Sequence, residues 1–354
     1  MAKNILQERL LGNLKAYINR QDFGSKLSLS GQVGLKFLAQ GEYNLNYLLE
    51  TNLGSYVLRV NTASQMNLKN QIAYEYQALR LLSRSGVTPR PYYLDDRQEE
   101  IPYGLLVMEY LPGEPLHYNL DLAKAAKTFA KIHSLRFTAS EKDFLVKGTG
   151  PFSNIFLEAS ELLQKYFEFP QADSQVKNIL EKILLKAEEK KKDEKYLLKE
   201  PWSAVINTEV NSHNFIVNRK KGSCHLIDWE KPILGEPAQD LSMFLIATTT
   251  LWKSEKILSL QEEEDFIRKY LQKMKIEMSK SEELSGIPIN TLRERITMFK
   301  FFNYLRAISW CAMAWTEYVQ PGRVLQNPDT FEKIKMYIEP AFIQRCFYSG
   351  LAAS

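Results

Sequence analysis

Cysteine is scarce. The chain of 354 residues carries three, Cys224, Cys311 and Cys346, widely separated and odd in number, which argues against a disulfide framework and a cysteine metal cluster. Its four histidines show no His/Cys spacing of a zinc site. No apolar run is long enough for a membrane span. The opening MAKNILQERLLGNLKAYINR sets Ile5, Leu6, Leu10, Leu11 and Leu14 at helical spacing with charges between them, so a signal peptide is not expected. An excess of one charge is also lacking. Forty-six basic residues against 42 acidic ones leave +4, evenly spread, which is no footprint for a nucleic-acid backbone. These absences lead to the expectation of a cytoplasmic globular protein with neither a membrane nor a nucleic acid as partner. With 45% hydrophobic and 25% charged residues, the chain can bury a large core as one bilobal unit or two domains.

What is present divides near residue 112. The runs LKFLAQ, NYLLET and SYVLRV between Gly31 and Val60, separated by turn residues such as Gly41 and the Asn52 to Gly54 stretch, predict short antiparallel strands. KNQIAYEYQALRLLSRSG spaces Ile72, Tyr76, Leu79 and Leu82 along one helical face, with Gly86 as a stop before Pro89 and Pro91. Residues 92–97 and 103–110 predict two more strands, closing a five-stranded sheet with one helix after its third strand. Beyond LPGEPL the composition turns helical, giving an α+β chain. Its expected parts are an N-terminal helix within 1–30, a small antiparallel-sheet lobe over 31–111 and a large, mostly helical lobe over 112–354. One hairpin, FIVN and CHLID around a basic turn, interrupts the helices and can carry polar residues at its ends into a cleft. The charged stretch KAEEKKKDEKYLLKE reads as a solvated surface.

The residues that suggest chemistry flank that hairpin, within a segment of about 203–240. Glu209 precedes Asn214 by five positions, and Asp228 follows Asn214 by fourteen. All three offer oxygen. Phosphoryl transfer from ATP needs a carboxylate at the attacking hydroxyl and oxygen ligands that hold magnesium against the phosphates, because positioning and charge neutralisation supply most of the catalysis.

N-T-E-V-N-S-H-N-F-I-V followed by L-I-D-W-E resembles the H-G-D-x-x-x-x-N and I-D-x-E pattern of the aminoglycoside phosphotransferase and choline kinase group. The resemblance runs through nearly the whole chain: Gly41 with Asn44 and Asn46 in a hairpin, V-L-R-V with Arg59, a helix with Glu75, M-E-Y-L-P-G with Glu109, F-A-K-I-H with His133, and G-E-P-A-Q-D-L ending at Asp240 and Leu241. It implies a bilobal, protein kinase-like fold and an ATP- and magnesium-dependent transfer to a hydroxyl of a small molecule. Gly41, Asn44, Asn46, Arg59, Glu75 and Glu109 would serve the nucleotide, with Glu75 pairing Arg59. Asn214 and Asp228 would bind the metal, and Glu209 would orient or deprotonate the acceptor.

Two departures stand out. Arg59 replaces the usual lysine, and its guanidinium can donate to phosphate and carboxylate together. Asn207-Thr208-Glu209 stands where the pattern has histidine, glycine and aspartate. Glutamate keeps the carboxylate on a longer arm, which leaves two readings open: an active kinase with a displaced base, or a pseudokinase that binds nucleotide as a sensing or interaction module. Glu230 is an outer acid or a surface group. His133 reads as helix packing and His213 as a solvent-facing loop residue. In FKFFNYLRAISWCAMAWTEY, Phe302, Leu305, Ile308, Ser309 and Ala312 form a core face, while Tyr304, Trp310, Trp315 or Glu317 are candidates to reach the acceptor. The acceptor-side helices lack a concentrated acidic run, which disfavours a polycationic substrate. An amino alcohol, a sugar and a nucleoside-like metabolite remain open.

Overall fold

The computed structural model describes residues 5–27, 33–41, 43–64, 66–147, 150–282, 286–320 and 327–348. The N-terminal helix expected within 1–30 lies outside the described residues at 1–4 and 28–30. Two compact units form. One gathers the chain up to Glu114 with Phe137–Leu145 and Ile216–Pro232, and the other takes Pro115–Arg136, Val146–Phe215 and the chain from Ile233 onward.

In the first unit the three apolar runs are strands β1 (Gly34–Gln40), β2 (Asn44–Thr51) and β3 (Gly54–Asn61), and β4 (Pro91–Asp95) and β5 (Gly104–Glu109) complete an antiparallel sheet in the order β1-β2-β3-β5-β4. Side chains alternate across a strand, so Leu45, Tyr47 and Leu49 of β2 go to the core and Asn44 and Asn46 to the other face. The register sets Asn46 opposite Arg59 and Asn44 opposite Asn61. That pairing fixes which polar groups meet.

Helix α1 (Ile5–Ile18) contributes Leu10, Leu14, Tyr17 and Ile18 to one buried cluster with Tyr47, Leu49, Leu58, Val60, Leu105 and Val107. Each large side chain so buried contributes about 1.5–3 kcal/mol. Tyr17 donates its hydroxyl to Asp95 Oδ2 at 2.6 Å. Helix α2 (Gln71–Leu82) starts at Asn70, whose side chain accepts from the Ala73 N–H at 3.1 Å. Gln71 and Glu75, one turn apart, share its buried face. The expected hairpin forms from Phe215–Asn218 and Ser223–Leu226. It passes so close to Gly113 that a Cβ there would lie 2.7 Å from the Val217 carbonyl oxygen, a reason for glycine at that position.

The second unit is mostly helical, with α3 (Tyr118–His133), α4 (Pro151–Glu168), α5 (Pro237–Leu245), α6 (Leu260–Met278) and α7 (Leu292–Val319) as its main helices. Residues on several sides of α7 are buried, Phe302, Leu305, Ile308, Ser309 and Ala312 among them. It packs on α4 and α5, with the Phe152 and Phe302 rings stacked 4.3 Å apart. The start of α4 is capped from a distance: Glu194, in the charged stretch, accepts from the Ser153 N–H at 3.0 Å and the Ser153 hydroxyl at 2.7 Å. A short strand, Ala204–Ile206, pairs with Ile233–Gly235. Among the described residues no helix is long and apolar enough to cross a membrane.

Candidate active site

In the first unit the polar face of β2 and β3 meets α2 and the loop after the hairpin. Arg59 is the centre. Its Nε donates to Asn46 Oδ1 at 3.0 Å, and one terminal nitrogen reaches Glu75 Oε1 at 2.5 Å and Asp228 Oδ1 at 2.9 Å. The side chains of Arg59 and Glu75 are 6% and 2% exposed and that of Asp228 is 28% exposed, so a buried ion pair opens toward solvent through the aspartate. Burial pushes the Glu75 carboxyl up and opposes charge on Arg59. Glu75, Asp228 and Glu230 together drive the guanidinium above its ordinary range, so Arg59 keeps its proton.

Glu230 is nearly buried in this unit. Asn44 donates its amide to Glu230 Oε2, Asn61 donates to Asn44 Oδ1 at 2.9 Å, and Gln71 donates to the Glu230 carbonyl at 2.5 Å. Sheet, helix and Asp228 loop are thereby joined by one hydrogen-bond network. Asp228 itself sits at φ 62°, a left-handed conformation that a non-glycine residue holds at a cost of about 1–3 kcal/mol. Gly41 lies in the turn between β1 and β2, its N–H donating to the Asn44 carbonyl at 2.8 Å. Glu109 ends β5, where its carboxylate accepts from the Arg90 N–H at 3.2 Å.

In the second unit the strand Ala204–Ile206 delivers Asn207, Thr208 and Glu209. Asp240, fully buried in the first turn of α5, accepts from the N–H groups of Asn207 and Thr208 at 2.8 Å each. Thr208 stands at φ 70°, costly for a β-branched side chain. Its carbonyl accepts from Arg306 at 2.8 Å. The Asn207 side chain accepts from the Glu209 N–H at 3.0 Å, and Asn214 donates its side-chain amide to the Glu209 carbonyl at 2.5 Å. The loop is thus tied at every peptide around Glu209. Beneath it, His133 Nε2 is 3.6 Å from Asp240 and Nδ1 is 3.1 Å from the Tyr270 hydroxyl, fully buried as helix packing. His213 is exposed.

The acceptor candidates on α7 are mostly engaged in packing. Tyr304 accepts from the Ala247 N–H at 3.1 Å. Trp310 lies 5.8 Å from Trp252, and Trp315 lies 5.9 Å from Tyr166; Glu317 is exposed. Sequence reasoning missed Gln71, Glu158 and Arg306. A signal existed for the last: Lys300 and Arg306 are the two charges in the apolar stretch from Phe299 to Trp315, and a charge in such a stretch requires a partner.

A loop held by the buried Asp240, and a sheet-borne cation gripping a helix glutamate and a loop aspartate, belong to a protein kinase-like fold. The family model of the phosphotransferase enzyme family (APH) matches residues 34–273, and the chain belongs to that family. Solved structures share its protein kinase-like fold. A provisionally named aminoglycoside phosphotransferase of Ralstonia eutropha has a TM-score of 0.67 at 14% identity, covering 94% of this chain and 96% of the other. A choline kinase of Streptococcus pneumoniae reaches 0.58 at 21% identity, covering 98% and 100%. A spectinomycin phosphotransferase solved with ADP and spectinomycin reaches 0.57 at 14% identity, covering 90% and 93%. The search of curated protein sequences returns no match.

Proposed function

We propose that the protein transfers the terminal phosphoryl group of ATP to a hydroxyl of a small metabolite, with magnesium. The observation that carries this reading is the buried Arg59 guanidinium gripping Glu75 and Asp228 together, a cation held in place on the face where Asn46 also lies. Membership of the phosphotransferase family and a similar fold in a phosphotransferase solved with ADP support it.

Arg59 steadies the phosphates, and Glu75 keeps it from swinging away. Gly41, Asn44 and Asn46 shape the hairpin over the nucleotide, and Glu109 lies where the chain leaves the sheet. The metal ligands are Asn214 and Asp228. Their chemistry fits magnesium: the Asn214 nitrogen is engaged by the Glu209 carbonyl, which leaves the amide oxygen as the ligand atom, and Asp228 offers a partly exposed carboxylate. Both are the hard oxygen donors that magnesium prefers. When bound, the ion neutralises charge on the phosphate oxygens. Glu209 accepts the acceptor's proton as its oxygen bonds to phosphorus and the bond to the ADP oxygen breaks. Cytoplasmic residence and the absence of a nucleic-acid partner belong to the same proposal.

The test is ATP consumption with a panel of amino alcohols, sugars and nucleosides, wild type beside Asp228→Ala. We expect transfer to at least one acceptor, lost in the variant; parent-rate transfer by Asp228→Ala refutes the metal assignment. Glutamate at 209 motivates one rival, the nucleotide-binding pseudokinase. That reading prevails if ATP binds with magnesium, no acceptor is phosphorylated, and Glu209→Asp creates activity.

A further inference from the structure

Glu209 is one methylene longer than the aspartate of the family pattern, and the residue before it has a backbone that threonine disfavours. Something must hold both. From one side Asp240 takes the N–H groups of Asn207 and Thr208. From the other, Arg306 of α7 donates to the Thr208 carbonyl at 2.8 Å while its Nε donates to Glu158 Oε2 of α4 at 3.1 Å.

We infer that Arg306 is a positioning residue for the acceptor-activating carboxylate, fixing the Thr208–Glu209 peptide in the left-handed conformation that aims Glu209. This rests on the reading of Glu209 proposed above. Three observations converge on it. The Thr208 peptide is gripped at its N–H and at its carbonyl, so both ends of the strained residue are defined. Arg306 is itself held by Glu158, with its side chain 12% exposed, so its fork is pre-oriented rather than free to follow the loop. Its charge also lies near Glu209: burial opposes that charge, and Glu158 and Glu209 more than offset it, lifting the guanidinium above its ordinary range. Glycine in the family pattern needs no such grip, because it adopts positive φ without strain. Arg306 and Asp240 together compensate for Thr208.

The test replaces Arg306 by Met, which keeps length and removes the fork, and by Lys, which keeps the charge on a single nitrogen. With ATP, magnesium and the acceptor from the panel, kcat of Arg306→Met is expected to fall about 100-fold, the size of effect that an ångström-scale misplacement produces. KM for ATP is expected to stay within about twofold, because Arg306 does not face the nucleotide in this scheme. Arg306→Lys is expected to lose roughly tenfold, and it carries the test if the Met variant does not fold. The decisive arm is Thr208→Gly in the Arg306→Met background. Glycine takes the left-handed backbone unaided, so the double variant is expected to recover about tenfold or more of the lost kcat.

Wild-type kcat in both single variants, or a loss that Thr208→Gly does not restore, overturns the inference; if Glu209→Ala still abolishes transfer, the reading of the site stands. Absence of transfer by the wild type with every acceptor overturns that reading and the inference with it.

Discussion

Replacing Arg59 by Met removes one charge from the most buried ion pair of the first unit and leaves its partner behind. Glu75 is 2% exposed with its oxygen 2.5 Å from the guanidinium, so the carboxylate loses its counter-charge without gaining water. Breaking a buried pair in this way costs about 3–5 kcal/mol. Asn46 loses the Arg59 Nε donor as well, about another 1 kcal/mol. Urea unfolding of Arg59→Met should therefore show a loss near the upper end of that range, while Arg59→Met/Glu75→Met should lose at least about 2 kcal/mol less than the two single losses added. The pH dependence gives a second reading. Burial holds the Glu75 carboxyl above its ordinary range, and removal of Arg59 raises it further. A carboxyl whose folded-state pKa is raised contributes stability below its unfolded value and loses it as pH rises through the folded value. The defect of Arg59→Met is thus expected to grow as pH rises above the ordinary carboxylate range. A loss under about 1 kcal/mol, or one that shrinks as pH rises, refutes the claim that the pair is buried and ionic.

Asp240→Ala removes the acceptor of two buried peptide N–H groups and should cost about 2–6 kcal/mol, at about 1–3 kcal/mol for each orphaned donor, read as a fall in the thermal midpoint; an unchanged midpoint contradicts the clamp. Asp95 tests the α1 contact: hydrogen bonds from Arg97 first, and from Tyr17, hold its carboxyl well below the usual carboxylate range against the opposing effect of burial. A depressed carboxylate contributes stability above its unfolded pKa of about 3.9 and loses it as pH falls, so Asp95→Asn should flatten the acid limb of the stability curve, and an unaltered limb would contradict the assignment.

The fold was legible because local patterns carried it. The run NYLLET predicts a strand, and alternation along Asn44–Thr51 then puts Leu45, Tyr47 and Leu49 inward and Asn44 and Asn46 on the other face. The helix was legible from the spacing of Ile72 and Leu79, whereas the pairing of its Glu75 with Arg59 was implied by the family resemblance, and the structure joins the two side chains. Motif order then added the loop and the hairpin. Arg59's third hold was not legible in this way, because Asp228 is 169 residues distant in the chain and no periodicity encodes such a separation.

The same limit explains what was missed at Glu209. Read alone, Asn207-Thr208-Glu209 departs from the family pattern at all three positions and leaves an active kinase and a pseudokinase both open. Strain at Thr208 is a property of φ, which composition does not report, and its restraints come from Asp240 and Arg306, 32 and 98 residues away. A decaying loop has no physical need for a buried carboxylate on two of its N–H groups and a guanidinium on the carbonyl that follows them, since each of those charged groups is costly to bury without a matched partner. Retention of both around a strained threonine is the pattern of a loop whose geometry matters. That argument bears on geometry alone, and it makes the recovery of kcat by Thr208→Gly the measurement that separates a held loop from a merely packed one.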